Sequence, residues 1–250
     1  MDRDTIVGIV TDALEPHPWA GAAWLGGSDA FGRADELSDV DIQAIVEDDR
    51  VGDAFDAVEA ALAAVTPITD RLVMPMPTWH GHAQRFYRLR DASEFAALDL
   101  VVMRRSSPDR YHNETARHGR PVVLFDRIGA VSPAEPDPAG LTAALAARVA
   151  GIRERLPFTQ PLVTKELHRG DGLAALAAYQ RHVLDPLVVL YRIRHSPARH
   201  DFGLRYTRDD LPPEVQRELA ELAFVASLDD LAAKVPRAQR RLLELLGELP

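Results

Sequence analysis

Two aspartates two residues apart, Asp39 and Asp41, follow the glycine-rich stretch Gly26, Gly27 and Ser28 at short range. On an extended strand the period of two sends both carboxylates to one face. Acids held this close repel and raise each other's pKa unless a cation joins them. Hard oxygen donors aimed together suit Mg²⁺, best when substrate phosphates complete its octahedron. The glycines remove side chains from a turn, so consecutive backbone N–H groups can meet phosphate oxygens, and Ser28 adds a hydroxyl donor. Taken singly, Gly-Gly-Ser is an ordinary turn and Asp-Val-Asp a solvated cap. Together, a phosphate cradle beside a Mg²⁺ pair is equipment for phosphoryl or nucleotidyl transfer. A further acid, Asp99, lies in the apolar run of residues 98–103, where a solitary carboxylate is costly to bury without a partner.

These residues need a sheet to hold them. Ile6, Val7, Ile9, Val10 and Leu14 have helical spacing that ends near Pro16. Residues 20–27 read as a buried strand running into a glycine turn, residues 39–48 as a second strand, and residues 53–65 as an amphipathic helix. Residues 71–77 are a weaker strand candidate. Residues 84–91 and 94–103 give two more strands, whose short polar link suits a hairpin. Residues 128–140 pack three prolines and two glycines without hydrophobic periodicity and mark a domain boundary. Beyond it, residues 141–156, 162–169, 174–195 and 213–249 carry a 3.6-residue period, with Pro186 and Pro236 expected to kink or split two of these stretches. The chain therefore reads as α+β: a mixed-sheet catalytic domain over residues 1–130, then an all-α helical bundle over residues 140–250 that binds substrate or nucleotide.

Composition narrows the function. With 250 residues, 46% of them hydrophobic, the chain can bury two cores. It has no cysteine, which excludes disulfides, thiolate metal sites and a cysteine nucleophile. No stretch approaches the roughly 18 apolar residues of a membrane span, and a cytoplasmic protein without a membrane partner is expected. The net charge of −9 argues against a protein that grips long nucleic acid. Residues 1–140 hold 24 acids against 13 bases, whereas residues 141–250 hold 14 against 16, so the two parts differ electrostatically.

The segment of residues 26–42 resembles the nucleotidyltransferase superfamily that includes DNA polymerase beta and the antibiotic nucleotidyltransferases. Its pattern is Gly-Ser, three residues, Gly, five residues, Ser-Asp, an apolar residue and Asp. Here Gly27, Ser28, Gly32, Ser38, Asp39, Val40 and Asp41 fill every position. The resemblance implies that Gly27, Ser28 and Ser38 hold nucleotide. It makes Asp39 and Asp41 metal ligands and Asp99 the third acid, as ligand or as base toward the acceptor hydroxyl. It further implies one or two Mg²⁺, ATP or another nucleoside triphosphate as co-substrate, and in-line attack on the α-phosphorus with pyrophosphate leaving.

Residues 192–212 resemble, more loosely, the segment after the long helix in the helical domains of the antibiotic-modifying members. Arg192, Arg199, His200 and Arg205 are the candidates there for the β and γ phosphates, which would put the active site between the domains. The alternative for this cluster is a solvated basic turn. The two-domain layout resembles aminoglycoside and lincosamide nucleotidyltransferases. A small hydroxylated acceptor, an aminoglycoside-like antibiotic among them, is therefore expected, with antibiotic resistance as the biological setting and a homodimer compatible with it. The competing readings are a protein-modifying nucleotidyltransferase that regulates a toxin and a non-catalytic nucleotide-binding module. Trp79, His80 and His82 place two histidines at a spacing compatible with a metal. His112, Asn113 and Glu114 could line an acceptor pocket or merely start a helix.

Overall fold

A computed structural model describes residues 1–108, 115–132 and 137–249, which divide into two units, Met1–Pro136 and Asp137–Pro250. His112, Asn113 and Glu114 lie outside the described residues. In the first unit Asp2 accepts a hydrogen bond from the Thr5 N–H and starts α1 (Arg3–Leu14), whose Ile6, Val10 and Leu14 are buried at helical spacing. Then follow β1 (Ala20–Leu25), the single turn α2 (Gly27–Ala30), β2 (Val40–Val46), α3 (Val51–Val65), β3 (Ile68–Val73), β4 (Ala83–Leu89), β5 (Leu98–Arg104), the short α4 (Thr115–His118) and β6 (Val122–Asp126).

The six strands form one mixed sheet in the order β3-β4-β5-β2-β1-β6. Only β2 and β5 run parallel; every other neighbouring pair is antiparallel. The parallel pair is central and covered by α1 and α3 on one face, which explains its runs of Val, Ile and Leu. Val40, Ile42, Ala44, Leu98, Leu100 and Val102 join Ile6, Val10, Phe55, Val58 and Leu62 in that buried layer. The alternate residues point to the opposite face, where Trp24, Ile45, Val101 and Met103 pack with Ala130. Ala130 reaches this face because the Asp126 carboxylate accepts hydrogen bonds from the N–H groups of Ile128, Ala130 and Val131 and turns the chain back.

The second unit is helical: α5 (Pro138–Arg169), α6 (Gly172–Tyr179), a π-turn at Gln180–Leu184, α7 (Asp185–His195), a 3₁₀ turn at Pro197–Arg199, α8 (Thr207–Asp210), α9 (Pro213–Ala223) and α10 (Leu228–Glu248). Helix α5 runs on through Pro157 and Pro161, where the sequence suggests a gap, because Ile152, Leu156 and Val163 are buried on both sides of the prolines. Pro236 likewise stays inside α10, and the break falls at residues 224–227 instead. No helix among the described residues is long and apolar enough to cross a membrane.

The arginine cluster expected to meet phosphates is partly consumed by this unit's own architecture. Arg192 is fully buried and donates to the carbonyls of Gly203, Arg199 and Arg205 and to Asp210. Arg199, also buried, pairs with the other oxygen of Asp210 at 2.6 Å. Arg192 thus ties residues 199–210 to α7, and Arg199 joins the two ends of that segment; both guanidinium groups, expected at phosphates, take part in this unit's own packing. His200 and Arg205 stay at the surface of the same turn, His200 against the Pro197 carbonyl and Arg205 donating to the Tyr206 hydroxyl. Asp210→Ala should therefore strand two buried cations and destabilise the helical unit by about 3–5 kcal/mol in urea unfolding. A variant of wild-type stability would show that the cage is not formed.

Candidate active site

The parallel register of β2 and β5 sets Asp41 directly beside Asp99, each the second residue of its strand. Both side chains leave the helix-covered layer and stand on the other face of the sheet, at the edge where both strands begin. An antiparallel pairing would have sent them to opposite ends. Asp39 precedes β2 and is exposed, so it lies just outside the strand expected to carry it.

The glycine turn closes on this pair. Gly26 donates its N–H to the Asp41 carbonyl at 3.0 Å, fastening the turn to β2. Gly27 has φ +50, and a Cβ built on it would stand 1.7 Å from Asp41 Oδ2, so only glycine lets the turn lie against the carboxylate. A Cβ at Gly26 would meet the Gln43 amide at 2.6 Å. The expected turn is in fact the first turn of α2, whose leading N–H groups have no intrahelical acceptor. Ser28 Oγ and Gln43 Oε1 are buried without a hydrogen-bond partner, and such atoms beside a cradle call for an explanation. A phosphate oxygen would accept a hydrogen bond from the Ser28 hydroxyl.

Burial, with the charges of Asp39, Asp99 and Asp29 added to it, pushes the Asp41 carboxyl up to about 7, while Arg3 opposes the shift. Burial also lifts Asp99 to about 6, against a hydrogen bond from Gln84. Gln84 on β4 donates its amide to Asp99 Oδ1 at 2.8 Å and to Oδ2 at 2.9 Å. Its Oε1 faces His80 Nε2 at 3.2 Å, and His80 Nδ1 accepts from the His82 N–H at 3.1 Å. The backbone donor fixes His80 as the Nε2–H tautomer, and His80 in turn fixes which end of the Gln84 amide faces the acid. Burial holds His80 below its ordinary pKa, in keeping with that neutral form. His80 therefore orients Gln84, and the His82 backbone holds His80 in place.

One residue, Arg3, holds the site from outside the motif, and Ser38 braces it from within. Arg3, at the start of α1, bonds Asp29 at 2.5 Å and the Ser38 carbonyl at 3.5 Å, joining α2 to the loop that delivers Asp39. The Ser38 hydroxyl donates to Asp35 Oδ1 and accepts from the Asp35 N–H, so it braces that loop. Gln84, Asp29 and Arg3 escaped sequence reasoning. Alternation along residues 84–91 alone puts Gln84 on one face, but only the strand order puts it next to Asp99.

Among the described residues no three His, Cys, Asp or Glu side chains are gathered as a ready-made metal cluster. Two carboxylates in register, with a third two residues ahead, match what Mg²⁺ uses: one or two protein acids, the remaining positions going to water and phosphate oxygens. The donor chemistry fits the ion, and the buried, unpartnered Ser28 hydroxyl fits a phosphate oxygen.

Gly27→Ala should force Asp41 aside and cost about 1–3 kcal/mol in chemical unfolding, as overpacking does; an unchanged midpoint would mean the turn does not touch the acid. Asp41 carries a pH signature as well. Between its ordinary value of 3.8 and about 7 the folded state keeps a proton the unfolded chain has lost, so stability falls as pH rises through this window. In chelator, Asp41→Asn should gain thermal stability over wild type as pH climbs from 3.8 toward 7, with a constant gain above it. A gain that did not vary with pH would contradict the shifted carboxyl.

No family model matches the chain, and no curated protein matches it in sequence. Solved structures give fold-level likenesses. An aminoglycoside 6-adenyltransferase from Bacillus subtilis aligns over 99% of this chain and 92% of its own at 13% identity, with a TM-score of 0.36. JHP933 from Helicobacter pylori aligns over 98% of this chain and 92% of its own at 12% identity, with a TM-score of 0.28. At such low scores the functional reading rests on the residues of the site, not on these neighbours.

Proposed function

We propose that this protein is a metal-dependent nucleotidyltransferase that moves a nucleoside monophosphate, AMP from ATP, to a hydroxyl of a small acceptor and releases pyrophosphate. The observation that carries this reading is Asp41 in register with Asp99, closed over by a turn that only glycine permits. Mg²⁺, when bound, would be held by Asp41 and Asp99 with Asp39 alongside, and would neutralise charge on the phosphates. Gly26 and Gly27 let the turn close on Gln43 and Asp41, and the Ser28 hydroxyl donates to a phosphate oxygen. Gln84 holds Asp99 at a fixed angle, either as ligand or as the base that takes the proton of the acceptor hydroxyl. Little else is asked of the protein, because in-line transfer at phosphorus is mostly positioning and charge neutralisation.

An aminoglycoside-like polycation is the acceptor class we favour, since the excess of acids over bases in residues 1–140 attracts one. Pyrophosphate release should be followed with Mg²⁺, each nucleoside triphosphate and a panel of aminoglycosides, other hydroxylated small molecules and proteins. Turnover with a small hydroxylated acceptor is expected, reduced about a hundredfold or more in Asp41→Asn. Modification of a protein alone would replace the acceptor, and triphosphate binding without turnover on any acceptor would sink the enzymatic reading. Asp99→Asn then separates the two roles: loss of kcat at constant triphosphate and metal affinity marks the base, and loss of both marks the ligand.

A further inference from the structure

The helical unit contains a groove of about 360 Å³ between α5 and the segment formed by the π-turn and α7. Its size is at the lower end of small-molecule pockets, which run from roughly 300 to 1,000 Å³. The α5 side is one stripe of the helix, because Arg148, Ile152, Arg155, Leu156 and Thr159 recur at spacings of three and four. On the opposite side stand Arg181 and His182, followed by Asp185, Pro186 and Val189. The π-turn sets this second side: Asp185 donates its N–H to Gln180, five residues back, and Pro186 has no N–H with which to continue an ordinary α ladder. A π-turn widens a helix locally and re-aims side chains, and such turns recur at functional sites.

The groove combines a basic rim with an apolar floor. Ile152, Leu156 and Val189 form the floor and are buried. Arg148, Arg155 and Arg181 stand exposed at the rim, and none has a hydrogen-bond or ion-pair partner among the described residues. Asp185 is the only acid in the lining. Two or three guanidinium forks around a small cavity match a phosphate group, whose oxygens accept paired N–H donors. A bare anion would leave the floor unused.

We propose that this groove binds a phosphate monoester with an apolar or aromatic body, its phosphate held by Arg148, Arg155 and Arg181 and its body laid on Ile152, Leu156 and Val189. The site belongs wholly to the helical unit and stands whether or not the acidic face of the sheet transfers nucleotides.

Calorimetry of the full chain in chelator, with phenyl phosphate, inorganic phosphate and phenol as probes, tests it. Phenyl phosphate should saturate one site and bind more tightly than either inorganic phosphate or phenol. Arg155→Met with Arg181→Met should weaken it about tenfold or more, as expected for lost hydrogen bonds to a charged group. Arg148→Met, on a different turn of α5, should weaken it too, and Asp185→Asn should tighten it. These residues lie at the surface, so circular dichroism and melting should stay near wild type. Absence of saturable binding would overturn the proposal. So would equal affinity for phenyl phosphate and inorganic phosphate, or binding untouched by the arginine variants and lost in Ser28→Ala.

Discussion

Everything proposed for the first unit depends on bringing Asp41 and Asp99 side by side although burial raises both carboxyls and the charge of Asp99 makes Asp41 harder still to ionise. Parallel register does this with no freedom left over: once Val40 pairs with Leu98, the next residue on each strand is an aspartate and both face the same way. The opposing force is met on the other face of the same two strands, where a fully apolar layer locks the register. A slip of one residue would turn the acids into that layer and the leucines out. Hydrophobic burial thus holds in place an arrangement that electrostatics alone would push apart.

The surroundings then refine what the register imposes. Gly27 lets a backbone turn press on one carboxylate, Gln84 holds the other by both oxygens, and Arg3 joins the two segments that flank Asp39. The stability of this face is lower at neutral pH than at acid pH for as long as Asp41 stays without a counter-charge. A site built in this way gains most from a cation and loses most from a misplaced methyl group.

Much of this was legible in the sequence, and the rest was hidden for identifiable reasons. The glycine turn, the paired aspartates and the apolar run around Asp99 are local patterns, and local patterns survive without coordinates. Strand β6 went unread because four apolar residues after a proline carry no periodicity to tell strand from loop. Parallel pairing of β2 with β5 is non-local and leaves no trace in spacing, whereas the hairpin that brings Gln84 to Asp99 was legible and only its register was hidden. The burial of Arg192 was hidden for another reason: an arginine among arginines reads as a phosphate ligand or a solvated turn, and only packing reveals that its guanidinium replaces water with carbonyl oxygens. Pro157 and Pro161 show tertiary burial overriding a local breaker.

The single parallel pair also governs when the site can come into being. Antiparallel neighbours β1 and β2, or β3 and β4, meet through near segments, whereas β2 must wait for α3, β3 and β4 to be laid down before β5 exists to accept it. Closing so long a loop costs entropy before any contact rewards it, which makes such pairings slow. As the chain leaves the ribosome, Asp41 is thus solvated and ordinary until residue 99 has emerged and the apolar layer has begun to close. The raised pKa that marks the site is a late product of assembly, and a nascent chain stalled earlier carries the motif with ordinary carboxylates.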